Sequence, residues 1–328
     1  MSINQRVLII DSLNTFLRVW ASIPVISNTG EHIGGVQGFL RSIGSNIRDF
    51  APSKCILVFD GKGGSYRRKK LYPEYKGNRI NKGTMRRDFF STKEEEMLSL
   101  RSQLAKTILY LDTLPVQVIS VDNIEADDTI AYIAKQLCAD SEKVRIVSTD
   151  RDFLQLVNDK IEVYSPVKKK LYTPTEIQQE YGILNENYLV YRTLSGDDGD
   201  NIDGVGGIGL KTFIKEFPTI TTGKIDIDTL IQLSENSIKT SKKPKKIFQN
   251  IVNSKDIIWR NYELMQLSDV NISGISKMQI LDKFNAKVKF PNYYQFQLLA
   301  QRDALIFKDV TTWLYSTFNG LAAWSKQT

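Results

Sequence analysis

Five carboxylates between residues 125 and 152 have the residue types and spacing best suited to chemistry in this sequence. Glu125, Asp127 and Asp128 open a segment with the apolar spacing of a helix, and Asp150 and Asp152 follow an apolar run typical of a buried strand. Open α/β sheets bind their ligands at such strand ends. Acids this close repel one another unless a cation lies among them, and hard divalent cations take oxygen ligands. The stretch therefore predicts a metal site made of carboxylates alone.

Four more acids stand at the ends of apolar elements or beside glycine. Asp11 and Asp60 each follow a buried apolar run, and Asp197 and Asp200 lie in a glycine-rich stretch. Each acid alone is better explained as a helix cap or turn former, whereas metal binding better explains the whole set. Oxygen ligands without histidine or cysteine favour magnesium or manganese over zinc. Two such ions about 4 Å apart could clamp an in-line phosphoryl displacement and activate a water molecule.

The composition indicates a globular protein with a polyanionic partner. A chain of 328 residues with 41% hydrophobic content can build one large or two modest domains. The net charge of +7 favours nucleic acid as the partner, with a basic protein of another class as an equal alternative. The presence of only one histidine, His32, argues against zinc sites and catalytic schemes that need a second imidazole.

The two cysteines and the N-terminus indicate the cellular compartment of the protein. Cys55 and Cys138 lie in apolar runs, which predicts buried thiols and a reducing environment. The N-terminus lacks a signal-peptide pattern, and no apolar run approaches the length of a membrane span. We therefore expect a soluble, cytoplasmic protein with no membrane partner.

Residues 61–87 combine basic and aromatic side chains without regular apolar periodicity. Arg67 and Arg68 belong to a run of basic residues with which three tyrosines are interleaved. This combination suits the binding of single-stranded nucleic acid through its backbone and its bases. A solvated, flexible loop is the alternative interpretation.

The apolar periodicity predicts an α/β arrangement that ends near residues 175–190. Predicted strands lie at 6–10, 55–59, 116–121, 144–147 and 161–164, and predicted helices lie at 34–50, at 92–111, after Asp152 and from Pro174. Thr92 begins its helix with a capping-box pattern. Lys168 to Tyr172 is typical of a hairpin. The aromatic-rich stretches Phe290–Phe296 and Trp313–Phe318 are expected to pack in a C-terminal helical domain.

The stretch from Gly204 to Thr212 predicts a helix-hairpin-helix. Its glycines precede an amphipathic segment, and free N–H groups near a helix N-terminus can hold a phosphate. A dinucleotide-binding site is excluded, although three of the glycines match G-x-G-x-x-G, because no strand precedes them. The lysine-rich segment 237–246 either touches a DNA backbone or is a solvated connection, and the sequence supports both equally.

Taken in order, these motifs resemble the flap endonuclease/5′-nuclease family across residues 5–220. The matching motifs are Asp11, Asp60-Gly61, Tyr75-Lys76-Gly77-Asn78-Arg79, Glu125-Ala126-Asp127-Asp128, Ser148 through Phe153, and Gly196-Asp197 through Thr212. The hairpin at Ser165 to Lys170 is similar to the bacteriophage branch, which includes the T4-type ribonuclease H and the T5-type 5′ nuclease. The resemblance does not extend to the C-terminal third.

The resemblance implies a PIN-like α/β core with a central, mostly parallel sheet, a helical arch at about residues 61–100, a helix-three-turn-helix and a C-terminal helical region. It implies a nuclease domain at 1–185 and a DNA-binding and C-terminal helical domain at 186–328. The implied activity is that of a two-metal, magnesium-dependent 5′→3′ exonuclease, flap endonuclease and RNase H. Such an enzyme would remove RNA primers during phage DNA replication.

The resemblance also implies roles for individual residues. The first metal site would take Asp60, Glu125, Asp127, Asp128 and Asp150, with Asp11 nearby, and the second would take Asp152, Asp197 and Asp200, with Asp150 between the two sites. Lys76 and Arg79 would contact the scissile phosphate, and Tyr75 would stack on a base. The duplex backbone, together with a monovalent cation such as K⁺, would be held by Gly204, Gly206, Gly207, Gly209, Lys211 and Thr212.

The implied partners are DNA with a 5′ flap, a nick or an RNA–DNA hybrid, and a single-stranded DNA-binding protein or sliding clamp. The protein is expected to be a monomer, located in the host cytoplasm if it is phage-encoded, with Mn²⁺ able to replace Mg²⁺. Asp198-Gly199 departs from the more usual small polar pair between two ligand aspartates and adds a charge there. The sequence therefore leaves two questions open: whether a free 5′ end must thread beneath the arch, and whether flaps are cut at all.

Two rival interpretations carry less support. Asp11 to Thr15 echoes the Asp-x-Asp-x-Thr motif of haloacid dehalogenase-type phosphatases, but the second aspartate, which is the general acid, is missing. A non-catalytic protein that binds branched DNA would retain the fold with a vestigial site, yet all nine carboxylates are present. Metal-dependent cleavage distinguishes a nuclease from a binder, and hydrolysis of a small phosphate monoester distinguishes a phosphatase from both.

Overall fold

The computed structural model describes residues 5–78, 89–268 and 272–324. Its strands are β1 (Arg6–Asp11), β2 (Lys54–Val58), β3 (Gln117–Ile119), β4 (Lys143–Val147), β5 (Ile161–Ser165) and β6 (Lys170–Tyr172). Its α-helices are α1 (Ser12–Ser22), α2 (Gly34–Phe50), α3 (Tyr66–Leu71), α4 (Lys93–Leu111), α5 (Ala126–Tyr132), α6 (Pro174–Tyr181), α7 (Tyr188–Ser195), α8 (Leu210–Glu216), α9 (Ile227–Thr240), α10 (Lys246–Asn253), α11 (Lys255–Met265), α12 (Gly274–Asn285), α13 (Tyr293–Arg302) and α14 (Val310–Trp324).

The chain divides into two compact units. The first comprises Met1–Lys62, Thr84–Thr149 and Ile272–Thr328, and the second comprises Gly63–Gly83 and Asp150–Asn271. The boundary expected near residue 185 does not coincide with this division. The reason lies in the C-terminal helices, because α12 packs on β3 and α14 packs on α2 within the first unit.

Four strands of the first unit lie parallel in the order β3-β2-β1-β4. Residues 7–10 of β1 are fully buried, as expected for an apolar strand that is covered on both faces. In the register of the sheet, Asp11 pairs with Val58 and Ile10 pairs with Val147. Because parallel strands end at a common edge, Asp11 and the residues after β2 lie at one edge of this sheet.

Two predicted helices of the first unit are confirmed. Helix α2 covers the predicted range 34–50. Helix α4 begins after Thr92, whose hydroxyl accepts a hydrogen bond from the Glu95 N–H while the Glu95 carboxylate accepts one from the Thr92 N–H. The aromatic-rich C-terminal stretches also pack in this unit, where the Phe296 ring lies 5.0 Å from Tyr110 and 5.8 Å from Trp313 between centroids.

The second unit contains the predicted hairpin. Strands β5 and β6 pair antiparallel, and α6 follows with Pro174 in its first turn. Lys168 and Lys170 donate to the Glu180 carboxylate of α6 at 2.6 and 2.7 Å, so the helix fixes both hairpin lysines. Helix α9 extends to residue 240 and α10 begins at 246, so residues 241–245 form the connection within the lysine-rich segment.

The two cysteines and the one histidine of the sequence are buried in the first unit. Cys55 and Cys138 are free and buried, as predicted. The His32 ring lies 4.9 Å from the Phe89 ring between centroids, and its nitrogens lie 3.0 Å from the Ile23 carbonyl oxygen and 3.1 Å from Gln103 Nε2. Among the residues described, no helix combines the length and the apolar character needed to cross a membrane.

Candidate functional site

Asp11 ends β1 and caps α1 in the first unit. One carboxylate oxygen accepts a hydrogen bond from the Ser148 hydroxyl at 2.8 Å, and the other accepts one from the Asn14 N–H at 3.3 Å. The side chain is only 5% exposed. Burial of a carboxylate requires such donors, and the residue after β4 and the first turn of α1 supply them.

The remaining acids of the first unit gather around the start of α5. Asp60 is exposed, and its carboxylate accepts a hydrogen bond from the Ala126 N–H at 2.8 Å. Glu125 precedes the helix and is buried, as is Asp128 in the first turn, whereas Asp127 is half-buried. Negative charge at a helix N-terminus is favourable, which explains part of this placement without a ligand.

The acids of the second unit are organised by an arginine. Arg192 of α7 donates from Nε to Asp152 at 3.0 Å and from Nη2 to Asp197 at 2.5 Å. Asp150 accepts a hydrogen bond from the Asp152 N–H at 2.8 Å. Asp197 also accepts hydrogen bonds from the N–H groups of Gly199 and Asp200, at 2.7 and 3.3 Å, so one carboxylate closes the loop after α7.

Two of these acids hold their protons more tightly than usual. Burial raises the pKa of Asp152 to about 7, and the neighbouring Asp150 charge adds to that effect while Arg192 opposes it. Burial also raises the pKa of Asp150, with contributions from the charges of Asp200 and Asp197. A bound cation would stabilise the ionised form of both carboxyl groups and so lower both pKa values.

The donor chemistry of both groups of acids fits a hard divalent cation, because every donor is a carboxylate oxygen. Within the described ranges, however, no three His, Cys, Asp or Glu side chains are grouped so that they could hold a metal ion. The predicted ligand set therefore stays a prediction.

Two residues predicted to bind DNA lie in the core of the second unit instead. Tyr75 is 2% exposed and packs with Ile202, Leu264 and Met265, so its ring is not available to stack on a base. Arg68 is 3% exposed, and its Nε donates to the Leu264 carbonyl oxygen at 2.8 Å. Both expectations are wrong in this structure, because the segment that carries these residues packs on α11.

Lys76 stands beside the loop of Asp197 and Asp200. Its N–H donates to the Asp200 carbonyl oxygen at 2.9 Å, and the side chain is half-buried with Nζ 4.8 Å from the centroid of the Tyr75 ring. Its φ of +58° is unusual for a residue other than glycine. Arg79 lies outside the described residues. Arg67, near the start of α3, is half-buried.

The glycine-rich turn has two kinds of glycine. A Cβ on Gly204 would lie 2.4 Å from the Ser195 carbonyl oxygen, so this glycine lets the loop close against the end of α7. Gly206, Gly207 and Gly209 are exposed and stand before α8. On α8 itself, Lys211 is exposed and Thr212 is half-buried. The turn thus presents backbone and a lysine on the surface of the second unit.

Sequence reasoning missed the roles of three residues that organise these groups. Arg192 joins two acids, Ser148 orients Asp11, and Asn14 accepts hydrogen bonds from Thr149 through the N–H at 3.3 Å and the hydroxyl at 2.8 Å. Asn14 therefore has a structural role, because it holds the segment that follows β4. A basic residue five positions before a candidate ligand was the only available signal for Arg192.

The sequence is similar to known nucleases along much of its length. A family model described as 5′-3′ exonuclease, N-terminal resolvase-like domain, matches residues 6–182. The thermostable DNA polymerase I of Thermus filiformis is 32% identical over 211 residues, which are 64% of this chain and 23% of that protein. The 5′-3′ exonuclease of Buchnera aphidicola subsp. Acyrthosiphon pisum (strain APS) is 29% identical over 300 residues, which are 89% of this chain and 98% of that protein.

Solved structures share the fold. The T5 5′-exonuclease with bound zinc ions has a TM-score of 0.65 at 22% identity, covering 91% of this chain and 98% of that chain. The bacteriophage T5 flap endonuclease, in a pseudo-enzyme-product complex with DNA and metal ions, has a TM-score of 0.64 at 23% identity, covering 91% and 99%. The predicted PIN-like α/β class with a mostly parallel sheet is confirmed.

Proposed function

Because the chain belongs to the 5′-3′ exonuclease family, we propose that it hydrolyses phosphodiesters from the 5′ side as a 5′→3′ exonuclease and flap endonuclease. The observation that carries the proposal is the family match over residues 6–182, a range that contains the acids from Asp11 to Asp152. Similarity to a 5′-3′ exonuclease along 89% of the chain supports it.

The proposed cofactor is a pair of Mg²⁺ ions, which Mn²⁺ would replace. The proposed ligands are Asp11, Asp60, Glu125, Asp127 and Asp128 in the first unit and Asp150, Asp152, Asp197 and Asp200 in the second. When bound, the ions would lower the pKa of a water molecule and neutralise charge on the phosphate. A carboxyl group binds a cation as its ionised carboxylate, so metal binding would favour the ionised forms of Asp150 and Asp152.

Lys76 is proposed to hold the scissile phosphate. The hydrogen bond from its N–H to Asp200 fixes its backbone beside the acid-bearing loop. An ammonium group on a phosphate oxygen would stabilise the negative charge that develops during hydrolysis. Arg79 is proposed to act with it on the strength of the shared motif.

The proposed substrates are DNA with a 5′ flap or a nick and RNA–DNA hybrids, which would give the protein an RNase H activity and a role in primer removal during phage replication. The glycine-rich turn would hold the duplex backbone, with K⁺ as a further ligand. A single-stranded DNA-binding protein or a sliding clamp are proposed partners of a monomeric enzyme.

The test uses a 5′-labelled flap duplex and a nicked RNA–DNA hybrid, each with Mg²⁺ or with EDTA. We expect 5′-side cleavage that stops in EDTA and falls at least about 10²-fold in D150A, because a site preorganised for developing charge is lost. D198N is the matched control, since it removes an exposed carboxylate from the neighbouring loop, and it should stay close to wild type.

Other outcomes would assign a different function. Tight binding of both substrates without cleavage in Mg²⁺ or Mn²⁺ would replace the enzyme with a non-catalytic binder of branched DNA. Hydrolysis of a small phosphate monoester, with no action on either nucleic acid, would favour a phosphatase.

A further inference from the structure

Four exposed lysines surround the start of α10 in the second unit. Lys242, Lys243, Lys245 and Lys246, here called the α10 lysine cluster, occupy the last residues of the lysine-rich segment and the first turn of the helix. The sequence alone left this segment undecided between a contact with a nucleic-acid backbone and a solvated connection. The contacts of α10 bear on that choice.

Helix α10 is joined to the end of α8. Lys245 Nζ lies 2.6 Å from the Glu216 carboxylate, which forms an ion pair between the two helices. The ring of Phe248 packs edge-on against Phe217 with 5.8 Å between centroids, and Phe248 is buried. One member of the cluster therefore anchors the segment, and an aromatic contact keeps α10 on the helix that follows the glycine-rich turn.

Asn250 of α10 reaches the glycine-rich turn itself. Its side-chain N–H donates to the Gly206 carbonyl oxygen at 2.8 Å. In a trans peptide the carbonyl and the next N–H point in opposite directions, so the Gly207 N–H points away from Asn250. Gly207 is exposed with φ +82°, and a Cβ there would meet no atom within 4 Å. Helix α10 thus orients an open stretch of the turn.

The placement of the cluster is unfavourable for the helix alone. The positive end of a helix dipole lies at the N-terminus, where cations destabilise and anions stabilise. The first turn of α10 contains no acidic residue, and Lys246 stands at its first position. Like charges at neighbouring positions repel one another as well. A bound polyanion would offset both effects, because it supplies negative charge along an extended path.

We infer that the α10 lysine cluster binds backbone phosphates of duplex nucleic acid and extends the surface of the glycine-rich turn. In this arrangement Lys242, Lys243 and Lys246 contact phosphates, Lys245 keeps the segment on α8, and Asn250 orients the turn. The contacts are with the backbone, so the cluster adds affinity without sequence preference. The inference rests on the proposed function, because the turn is assigned there to the duplex backbone.

The salt dependence of duplex binding tests this inference. The ligand is a short duplex closed by a hairpin loop at each end, and its affinity is measured by fluorescence anisotropy in EDTA over a series of KCl concentrations. Each lost phosphate contact reduces the slope of log K against log [salt] by about 0.9. We expect K242Q/K243Q/K246Q to reduce the slope by about 2 to 3 relative to wild type.

The matched control removes three exposed lysines from the first unit, in K277Q/K287Q/K308Q, and so changes the net charge equally. This variant should keep the wild-type slope. Equal slopes for the two triple variants would overturn the inference and leave segment 241–245 as a solvated connection. Binding is measured without metal, so it is independent of cleavage. If the wild type cleaves its substrates but the two triple variants give equal slopes, only the assignment of the cluster is refuted. If the wild type binds no duplex, the proposed function is refuted too.

Discussion

The acids of the two units are held by different kinds of partner. In the first unit, Asp11 accepts a hydrogen bond from the Ser148 hydroxyl and Asp60 accepts one from a backbone N–H. In the second, the Arg192 guanidinium lies between Asp152 and Asp197. Neutral donors fix the orientation of a carboxylate, whereas an arginine also offsets its charge.

This difference shows where a bound cation should matter most for stability. Burial and the neighbouring Asp150 charge raise the pKa of Asp152 to about 7 although Arg192 opposes the rise, so one guanidinium does not offset the cost of ionising Asp152. A divalent cation would favour the ionised carboxylates and so release protons that Asp150 and Asp152 hold. We therefore expect the stability of the second group to respond strongly to metal.

Replacement of Arg192 should have the largest effect on stability. R192Q removes the charged partner of two half-buried aspartates, and such a loss costs about 3 kcal/mol of unfolding free energy. Mg²⁺ should recover part of the loss, because a cation supplies the missing positive charge. Urea unfolding of wild type and R192Q in EDTA and in Mg²⁺ measures both quantities.

The control for R192Q is R302Q, which removes a guanidinium from the buried Asp303 of the first unit. Its effect on stability should be the same with and without Mg²⁺. If the loss in R192Q were equally independent of Mg²⁺, the second group of acids would not be a metal site.

Removal of the Ser148 hydroxyl should have an intermediate effect. S148A deletes a buried hydrogen bond to a carboxylate, which contributes about 2 kcal/mol when the acceptor is charged. S53A deletes a hydrogen bond to the Arg6 carbonyl oxygen, a neutral acceptor, and should cost below about 1 kcal/mol. Equal losses in urea unfolding at neutral pH would mean that the hydrogen bond from Ser148 to Asp11 is no stronger than one to a neutral acceptor.

Glu180 should give the smallest effect and a defined pH dependence. Burial raises the pKa of Glu180, but hydrogen bonds from Lys168, Lys170 and Tyr172 outweigh it and lower the pKa to about 2. A carboxyl whose folded pKa is depressed stabilises the fold above its ordinary pKa of 4.5, and that contribution is lost as the pH falls toward 2.

We therefore expect E180Q to be about 0.5 kcal/mol less stable than wild type at neutral pH, a modest value because the ion pairs are partly exposed. The difference should shrink as the pH falls from 4.5 to 2. Unfolding curves across this range measure it, and a difference that grows toward low pH would contradict the assignment.

The elements that the sequence predicted well are those specified by neighbouring residues. The prediction of a helix at Gly34–Phe50 needs only the spacing of apolar residues along one helix face. The prediction of the Thr92 cap needs only the residue three positions later. The acids at the ends of β1 and β2 followed from the apolar runs before them. These signals are local, so they are visible without knowledge of the tertiary contacts.

The errors came from contacts between residues far apart in the sequence. Basic and aromatic composition suggested that Arg68 and Tyr75 face a ligand, but both are buried because the Leu264–Met265 end of α11 covers them. The role of Arg192 was missed for the same reason, since its partner Asp152 lies far away in the sequence. Composition identifies the chemistry of a segment and leaves the direction of each side chain open.

A count of bound Mn²⁺ ions tests the central claim most directly. Electron paramagnetic resonance of free Mn²⁺ would give the number of ions bound by wild type, by D60N/E125Q and by D197N/D200N, each in the presence of uncleaved duplex DNA. We predict two ions for wild type and one for each variant, because each variant removes ligands from only one group of acids. Failure of the wild type to bind Mn²⁺, or two ions in both variants, would contradict the assignment of these carboxylates as metal ligands.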